Sequence, residues 1–282
     1  MQRNKCTGTI KAMISKKIVP ILFTVLLIIL YIPGVFWGLP SEIVSEKDSQ
    51  IPFGPLAFVA DYSNPSLANQ YPDVHYILLV VIYAGVFLFH KIIGNLHTIS
   101  STWPYGFQNP AAAFSMLILV SRLVSVSMGI AIILCMKKFL AKNISKTGLY
   151  FSLTLLAVSG VFTYYSRTTT LDIPFLFWWV LSLVFLWNYI FTERKEGKYL
   201  VVSAIFSALS LGTKDQAAGL IFGSVLVLLF IGAQEQNRNQ LKVRVKQTGL
   251  FVVIVLFTYL FVAVLPQPFR WIFTQKVGHD VM

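Results

Sequence analysis

An all-α, polytopic transmembrane helix bundle of about seven spans is the fold class this sequence predicts, on three observations. Of its 282 residues 56% are hydrophobic and only 12% charged, with a mean hydropathy of +0.71, against about 45–50% apolar and about 25% charged in soluble domains. Apolar runs recur near 18–37, 113–136, 148–165, 173–192, 199–213, 217–233 and 249–265, many of them close to the ~20 residues that cross a ~30 Å hydrocarbon core. The polar segments between those runs differ systematically in charge. The chain reads as one membrane domain, 1–282, with a large first outer loop at about 40–112.

The first run, Ile18 to Trp37, follows Lys16 and Lys17. It is too long for a signal-peptide core and no small-x-small cleavage site follows it, so it reads as an uncleaved anchor bent at its outer end by Pro33 and Gly34. The loop after it is rich in turn formers, among them Pro52, Gly54, Pro55, Asn64-Pro65, Pro72, Pro104, Gly106 and Asn109-Pro110. Within that loop lies a shorter apolar run, Tyr76 to Phe89, about 14 residues long and flanked by His75 and His90-Lys91. Its length predicts an interfacial or re-entrant helix.

Charge decides whether that short run spans. If it does not, the N-terminus and the loops at 137–146, 193–198 and 234–247 share one side. That side then holds Arg3, Lys5, Lys11, Lys16, Lys17, Lys137, Lys138, Lys142, Lys146, Arg194, Lys195, Lys198, Arg238, Lys242, Arg244 and Lys246, sixteen of the 23 basic residues. If the run spans, every later loop flips and eleven of those cations go outside, against the positive-inside rule. The N-terminus is therefore expected in the cytoplasm of a multi-pass protein of the cell (inner or plasma) membrane. Eight of the eleven acidic residues then face outward: Glu42, Glu46, Asp48, Asp61, Asp73, Asp172, Asp215 and Asp280. The net charge of +12 is thus mainly topological and makes nucleic acid a poor partner, while the bilayer is an obligatory one. No Gly-rich phosphate loop follows a strand, which excludes a cytoplasmic nucleotide-binding domain. Cys6 and Cys135 form no disulfide framework.

Cations left over after topology are the informative ones, because an ionisable group near hydrocarbon is kept only when paired or functional. Arg122 interrupts an apolar helix in Val120-Ser121-Arg122-Leu123. Arg167 and Asp172 bracket the short outer turn Ser166-Arg167-Thr168-Thr169-Thr170-Leu171-Asp172, and Lys214-Asp215 tips the next outer turn. Arg167 with Asp172, and Lys214 with Asp215, read equally as structural ion pairs or as functional groups, and Arg122 as a cation paired inside the bundle. The first outer loop adds Glu46 and Asp48, carboxylates that serve either as solvated loop acids or as a general base or cation ligand. His90 and His97 are seven apart, sharing a helix face only if the helix runs through Gly94. Trp103, Tyr105 and Phe107 read as membrane-surface anchors, and 175–179 (Phe-Leu-Phe-Trp-Trp) as packing or lipid-facing surface.

The order of these motifs resembles the GT-C superfamily of membrane glycosyltransferases, family 39 type, the group like dolichyl-phosphate-mannose protein mannosyltransferases and bacterial lipid A aminoarabinose transferases. The resembling parts are Gly38-Leu39-Pro40 followed by an acid, Tyr71-Pro72-Asp73-Val74-His75-Tyr76, Ser121-Arg122-Leu123-Val124-Ser125, Tyr165-Ser166-Arg167 with Asp172-Ile173-Pro174, and Leu211-Gly212-Thr213-Lys214. They extend over roughly 35–235, within a GT-C-like catalytic half at about 18–235. The resemblance implies transfer of a sugar, with inversion, from a polyprenyl-phosphate donor to a hydroxyl on a lipid, glycan or protein acceptor at the extracytoplasmic face. It implies Asp48 as the catalytic base, Arg167, Lys214 and Arg122 as donor-phosphate ligands, and Glu46, Tyr165 and Asp172 in support. A divalent cation at Asp48 fits such chemistry, and no other cofactor is implied. The family acid is commonly followed by a second acid, whereas Asp48 is followed by Ser49. Family chains are also longer, so the resemblance implies a short or truncated member. The competing class is a non-catalytic membrane component or transporter of lipid-linked sugars. Transporters of that kind are often built from paired interrupted helices related by an internal repeat, and none is evident here.

Overall fold

The computed structural model describes residues 18–40, 52–60, 72–98, 100, 104–141, 144–191, 197–233 and 238–264. Ten helices follow one another among the described residues: α1 (Ile18–Phe36), α2 (Phe53–Ala60), α3 (Val74–Ile92), α4 (Pro110–Leu140), α5 (Lys146–Val158), α6 (Gly160–Ser166), α7 (Asp172–Phe191), α8 (Gly197–Leu211), α9 (Ala217–Ala233) and α10 (Arg238–Tyr259, continued by a π turn over Leu260–Val264). Five helices, α1, α3, α4, α7 and the stretch Leu241–Val262, are long and apolar enough to cross a membrane, and α5 with α6 makes a sixth if that bent pair is one span. Helices α8 and α9, with 15 and 17 residues, are shorter apolar helices. The fold is the polytopic helical bundle expected.

Helix α3 is longer than the sequence suggests, 19 residues rather than 14. Polar residues at both ends, His75 and His90-Lys91, belong to the helix although they mask its length in an apolar scan. Its length and composition make it a candidate span, and it is attached to the bundle at both of its ends. At its start, the Val74 N–H donates to the Gly212 carbonyl (2.9 Å), just past the C-terminus of α8. Beyond its other end, the Asn95 side chain accepts from the Asn109 N–H (2.7 Å), at the N-terminus of α4. Asn109 in turn caps α4 by accepting from the Ala112 N–H. The end of α8 and the start of α4 lie at the same end of the bundle, so both ends of α3 are tied there. Gly212 has no side chain where Val74 packs, and a Cβ there would overlap the valine.

Helices α2 and α3 thereby roof one end of the bundle. Leu56, Tyr76, Leu79, Tyr83 and Val86 pack on Phe114 and Leu117 of α4 and on Leu171 of the α6–α7 turn. The roof includes Phe107, which is buried against Leu96 and Ala113, and Tyr105, which stacks on Phe114. These two aromatics are interior packing rather than surface anchors; Trp103 lies outside the described residues. The helix stops before the left-handed Gly94, so His90 and His97 share no helix face.

Below the roof the spans are held by different means. Helix α4 has 31 residues, about 46 Å at 1.5 Å per residue, so its first turns stand beside α3 beyond the hydrocarbon. Helices α7 and α8 meet through hydroxyls: Ser182 Oγ lies 3.0 Å from Ser203 Oγ and 2.7 Å from Ser207 Oγ, and Ser210 Oγ donates to the Phe175 carbonyl. Ala204 and Ala208 are also buried, in a cluster with Leu186 and Tyr189 of α7 and Phe251 and Val255 of α10, and are small enough to let backbones approach. The run 175–179 is half-buried packing surface, with Trp178 stacked on Phe206.

Helices α5 and α6 bend by 63° at Ser159-Gly160. A bend frees a backbone carbonyl, which apolar surroundings penalise unless it is met again. The Ala157 carbonyl accepts from both the Tyr31 hydroxyl (3.2 Å) and Thr163 Oγ1 (2.8 Å).

Candidate functional site

The roofed end gathers the cations that topology left unexplained. Helix α1 arrives there through a final 3-10 turn, Pro33–Phe36, with Val35 fully buried. Arg122 projects from α4 towards this turn, and its Nη1 donates to the carbonyls of Val35 (2.7 Å) and Trp37 (2.6 Å). The guanidinium therefore caps the C-terminal carbonyls of α1, where a helix has unsatisfied acceptors and a partial negative charge. Arg122 is 1% exposed. From Arg122 to Leu140 is about 27 Å of helix, close to one hydrocarbon thickness.

Arg167 meets α1 about one turn lower. Its Nε donates to the Thr163 carbonyl and its Nη1 to the Leu30 carbonyl at 3.3 Å. It crosses α1 at Gly34, where a Cβ would overlap the guanidinium. Arg167 is half-buried, and its Nη2 has no partner among the described residues. Neighbouring Tyr165 supports the turn through its carbonyl, which accepts from Thr168 Oγ1.

The turn between α6 and α7 is buried despite its polar composition. Ser166, Thr168, Thr169, Thr170 and Leu171 are each at most 6% exposed. Thr168 and Thr170 satisfy each other at 3.1 Å, and the roof covers Leu171. Sequence reading treats this segment as an outer turn at the surface; only the placement of α2 and α3 reveals that it is enclosed.

At the other flank of the turn, Lys214 Nζ lies 2.7 Å from Asp172 Oδ1, with the two side chains 14% and 29% exposed. Lys214 also stands over the Phe175 ring. This pair joins the N-terminus of α7 to the tip after α8, replacing both pairings suggested by sequence neighbours. Asp215 instead accepts from the Gln216 N–H and is exposed, while Arg167 meets carbonyls.

The structure thus brings Arg122, Tyr165, Arg167, Asp172 and Lys214 to one end, with Arg122 committed to α1. Glu46 and Asp48 lie outside the described residues. The loop that carries them leaves α1 directly after the Arg122-bound Trp37 carbonyl, so Arg122 fixes the point from which it departs. Among the described residues no group of three His, Cys, Asp or Glu side chains is placed to hold a metal ion.

A sequence model of the family described as dolichyl-phosphate-mannose-protein mannosyltransferase matches residues 111–262, more than half of the chain. The chain belongs to this family. The matched region contains Arg122, Arg167, Asp172 and Lys214; Glu46 and Asp48 precede it. A structure of the S. cerevisiae protein O-mannosyltransferase Pmt1-Pmt2 complex bound to the sugar donor matches with a TM-score of 0.58 at 16% identity, over 88% of this chain and 33% of that one. That likeness shows the fold, and the chain spans about a third of the length of the solved chain. A search of curated proteins finds no match. The GT-C membrane glycosyltransferase family read from motif order is the family found.

Proposed function

We propose that this chain transfers a sugar from a polyprenyl-phosphate donor to a hydroxyl acceptor at the roofed end of the bundle, facing the extracytoplasmic side. The observation that carries the reading is Arg167: a half-buried guanidinium whose Nη2 has no hydrogen-bond partner among the described residues, at the roofed end, in a chain of this family. Lys214 supplies a second cation at the same end, held in place by Asp172. In a site poor in water, fixed positive charge of this kind favours an anion that gains charge during reaction.

The reaction balances with these groups. Asp48 takes the proton of the acceptor hydroxyl, whose oxygen attacks the anomeric carbon opposite the phosphate. The bond from that carbon to the phosphate oxygen breaks, and the lipid phosphate leaves with the electron pair. Arg167 and Lys214 meet the added charge, with Lys214 turning part of its contact from Asp172 to phosphate. Arg122 acts earlier, by fixing where the Asp48 loop leaves α1.

The test uses membranes containing the chain and a radiolabelled polyprenyl-phosphate sugar. Covalent transfer of label that is lost in Asp48→Asn, with insertion unchanged, supports the reading. An unimpaired Asp48→Asn removes Asp48 from it, and label that crosses the membrane unchanged replaces transfer with transport. Cysteine labelling at the tip 212–216 from intact cells tests the orientation; protection of that tip from an impermeant reagent reverses it.

A further inference from the structure

We propose that the Lys-rich end of the bundle holds one hydrocarbon chain of an anionic phospholipid between α4, α7 and α9. A cavity of about 240 Å³ opens there, walled by Met136 and Phe139 of α4, Val184, Trp187 and Phe191 of α7, and Val227 of α9. Its origin lies in how α7 is used. Ser182 faces α8, where Ser203 and Ser207 draw the two helices together. Val180, Val184, Trp187 and Phe191 follow at i, i+4, i+7 and i+11, a stripe on the opposite side of α7. That stripe lines the cavity over about 16 Å of helix.

The wall tells what fills it. Apart from the Trp187 indole N–H its lining is apolar, too little to hold water, which needs two to four polar partners in a buried site, and it opens beside helices long and apolar enough to cross a bilayer. A flexible hydrocarbon chain satisfies it. Aromatic rings stand at the Lys-rich end of the cavity, with Phe139 edge-on to Trp187 (5.0 Å) and Trp187 against Phe191 (4.0 Å).

The charge tells what headgroup the chain carries. Lys137 and Lys138 occupy the last turn of α4, the same turn that supplies Met136 and Phe139, with Lys138 exposed and Lys137 over the Tyr150 ring of α5. Lys146 opens α5 and Lys198 stands in the first turn of α8 at the same end. A lipid seated in this cavity would have its headgroup at the Lys-rich end of the bundle, which favours a net negative one, as basic pockets between spans do. The site is at the opposite end from Arg167 and Lys214 and requires only that these helices cross a bilayer, so it stands or falls apart from sugar transfer.

The test is native mass spectrometry of the purified full chain, stripped with detergent and titrated with dioleoyl-phosphatidylglycerol or dioleoyl-phosphatidylcholine. One phosphatidylglycerol is expected to remain bound under conditions that remove phosphatidylcholine. Val184→Trp fills the cavity and is expected to abolish this retention; Val227→Phe fills it from α9 and serves if the first variant does not fold. Lys138→Gln is expected to weaken phosphatidylglycerol binding about five-fold, the worth of one basic residue near an anionic surface, leaving phosphatidylcholine unaffected. Equal retention of the two lipids, retention that survives both filled variants, or displacement of phospholipid by a polyprenyl phosphate would overturn the proposal.

Discussion

The two ends of the bundle use similar side chains under opposite conditions. At the Lys-rich end, Lys138, Lys146, Lys198, Lys242 and Lys246 are exposed, and their value lies in electrostatic bias for one side of a membrane. At the roofed end, Arg122 donates to two carbonyls, Arg167 to two more, and Lys214 pairs with Asp172. Exceptions at the Lys-rich end are Arg244, buried on α10 beside Gln247, and Lys137 and Lys198, which stand over the Tyr150 and Tyr199 rings. The contrast teaches that a cation's sequence context is a weaker guide to its role than what its donors meet. Solvated cations report orientation, whereas partnered ones hold structure or await a ligand.

Substitutions at the two ends should separate those roles by size. The largest effect is expected from Arg167→Gln, which removes the charge proposed above to meet the leaving phosphate. Transfer should fall by about 100- to 1,000-fold, the usual cost of losing one such donor, as read by initial rates in membranes. Gly34→Leu should produce a related loss by occupying the space through which Arg167 crosses α1. A near-normal rate in both variants would place Arg167 with the cations that only hold structure.

Arg122→Met comes next. It leaves the buried Val35 carbonyl without its donor, at a cost of about 1–3 kcal/mol for that group alone, measurable as a lower unfolding midpoint in detergent. A double-mutant cycle on Asp172→Asn and Lys214→Met should give a coupling of about 1–3 kcal/mol, between the values for exposed and fully buried pairs. Ser182→Ala breaks hydroxyl contacts across α7 and α8 and should cost about 0.6–1.7 kcal/mol, the range for hydrogen bonds between membrane helices. Smallest of all, Lys146→Gln should change stability by less than about 0.5 kcal/mol, as surface substitutions do. A larger loss at Lys146 would erase the contrast between the ends.

Much of the bundle was legible because its physics is one-dimensional. Apolar length located α1, α4, the bent α5–α6 pair, α7 and α10, and charge sorting set aside the run that became α3. Its full length was hidden by His75, His90 and Lys91, polar residues that belong to the helix while facing the edges of an apolar window. The site was less legible because its partners are distant in sequence. Asp172 and Lys214 are 42 residues apart, and each has a nearer oppositely charged neighbour that sequence reasoning prefers. Arg122 bonds carbonyls 87 and 85 residues away, and backbone acceptors carry no residue-type signal. Nothing in the composition of Ser166 to Thr170 says that it is enclosed, since a roof is a property of topology.

Helix α3, tied at Val74 to Gly212 and past its far end to Asn109, has a fixed span to cover. Inserting one residue within it would advance one tether by about 1.5 Å and rotate everything beyond the insertion by about 100°. The rotated half would turn Tyr83 and Val86 off the α4 surface, so the two attachments could not both be kept with the apolar face seated. The roof should therefore tolerate changes of residue better than changes of length, and a single-alanine insertion after Leu79 should expose the Thr168–Thr170 turn to solvent labelling while leaving the spans inserted.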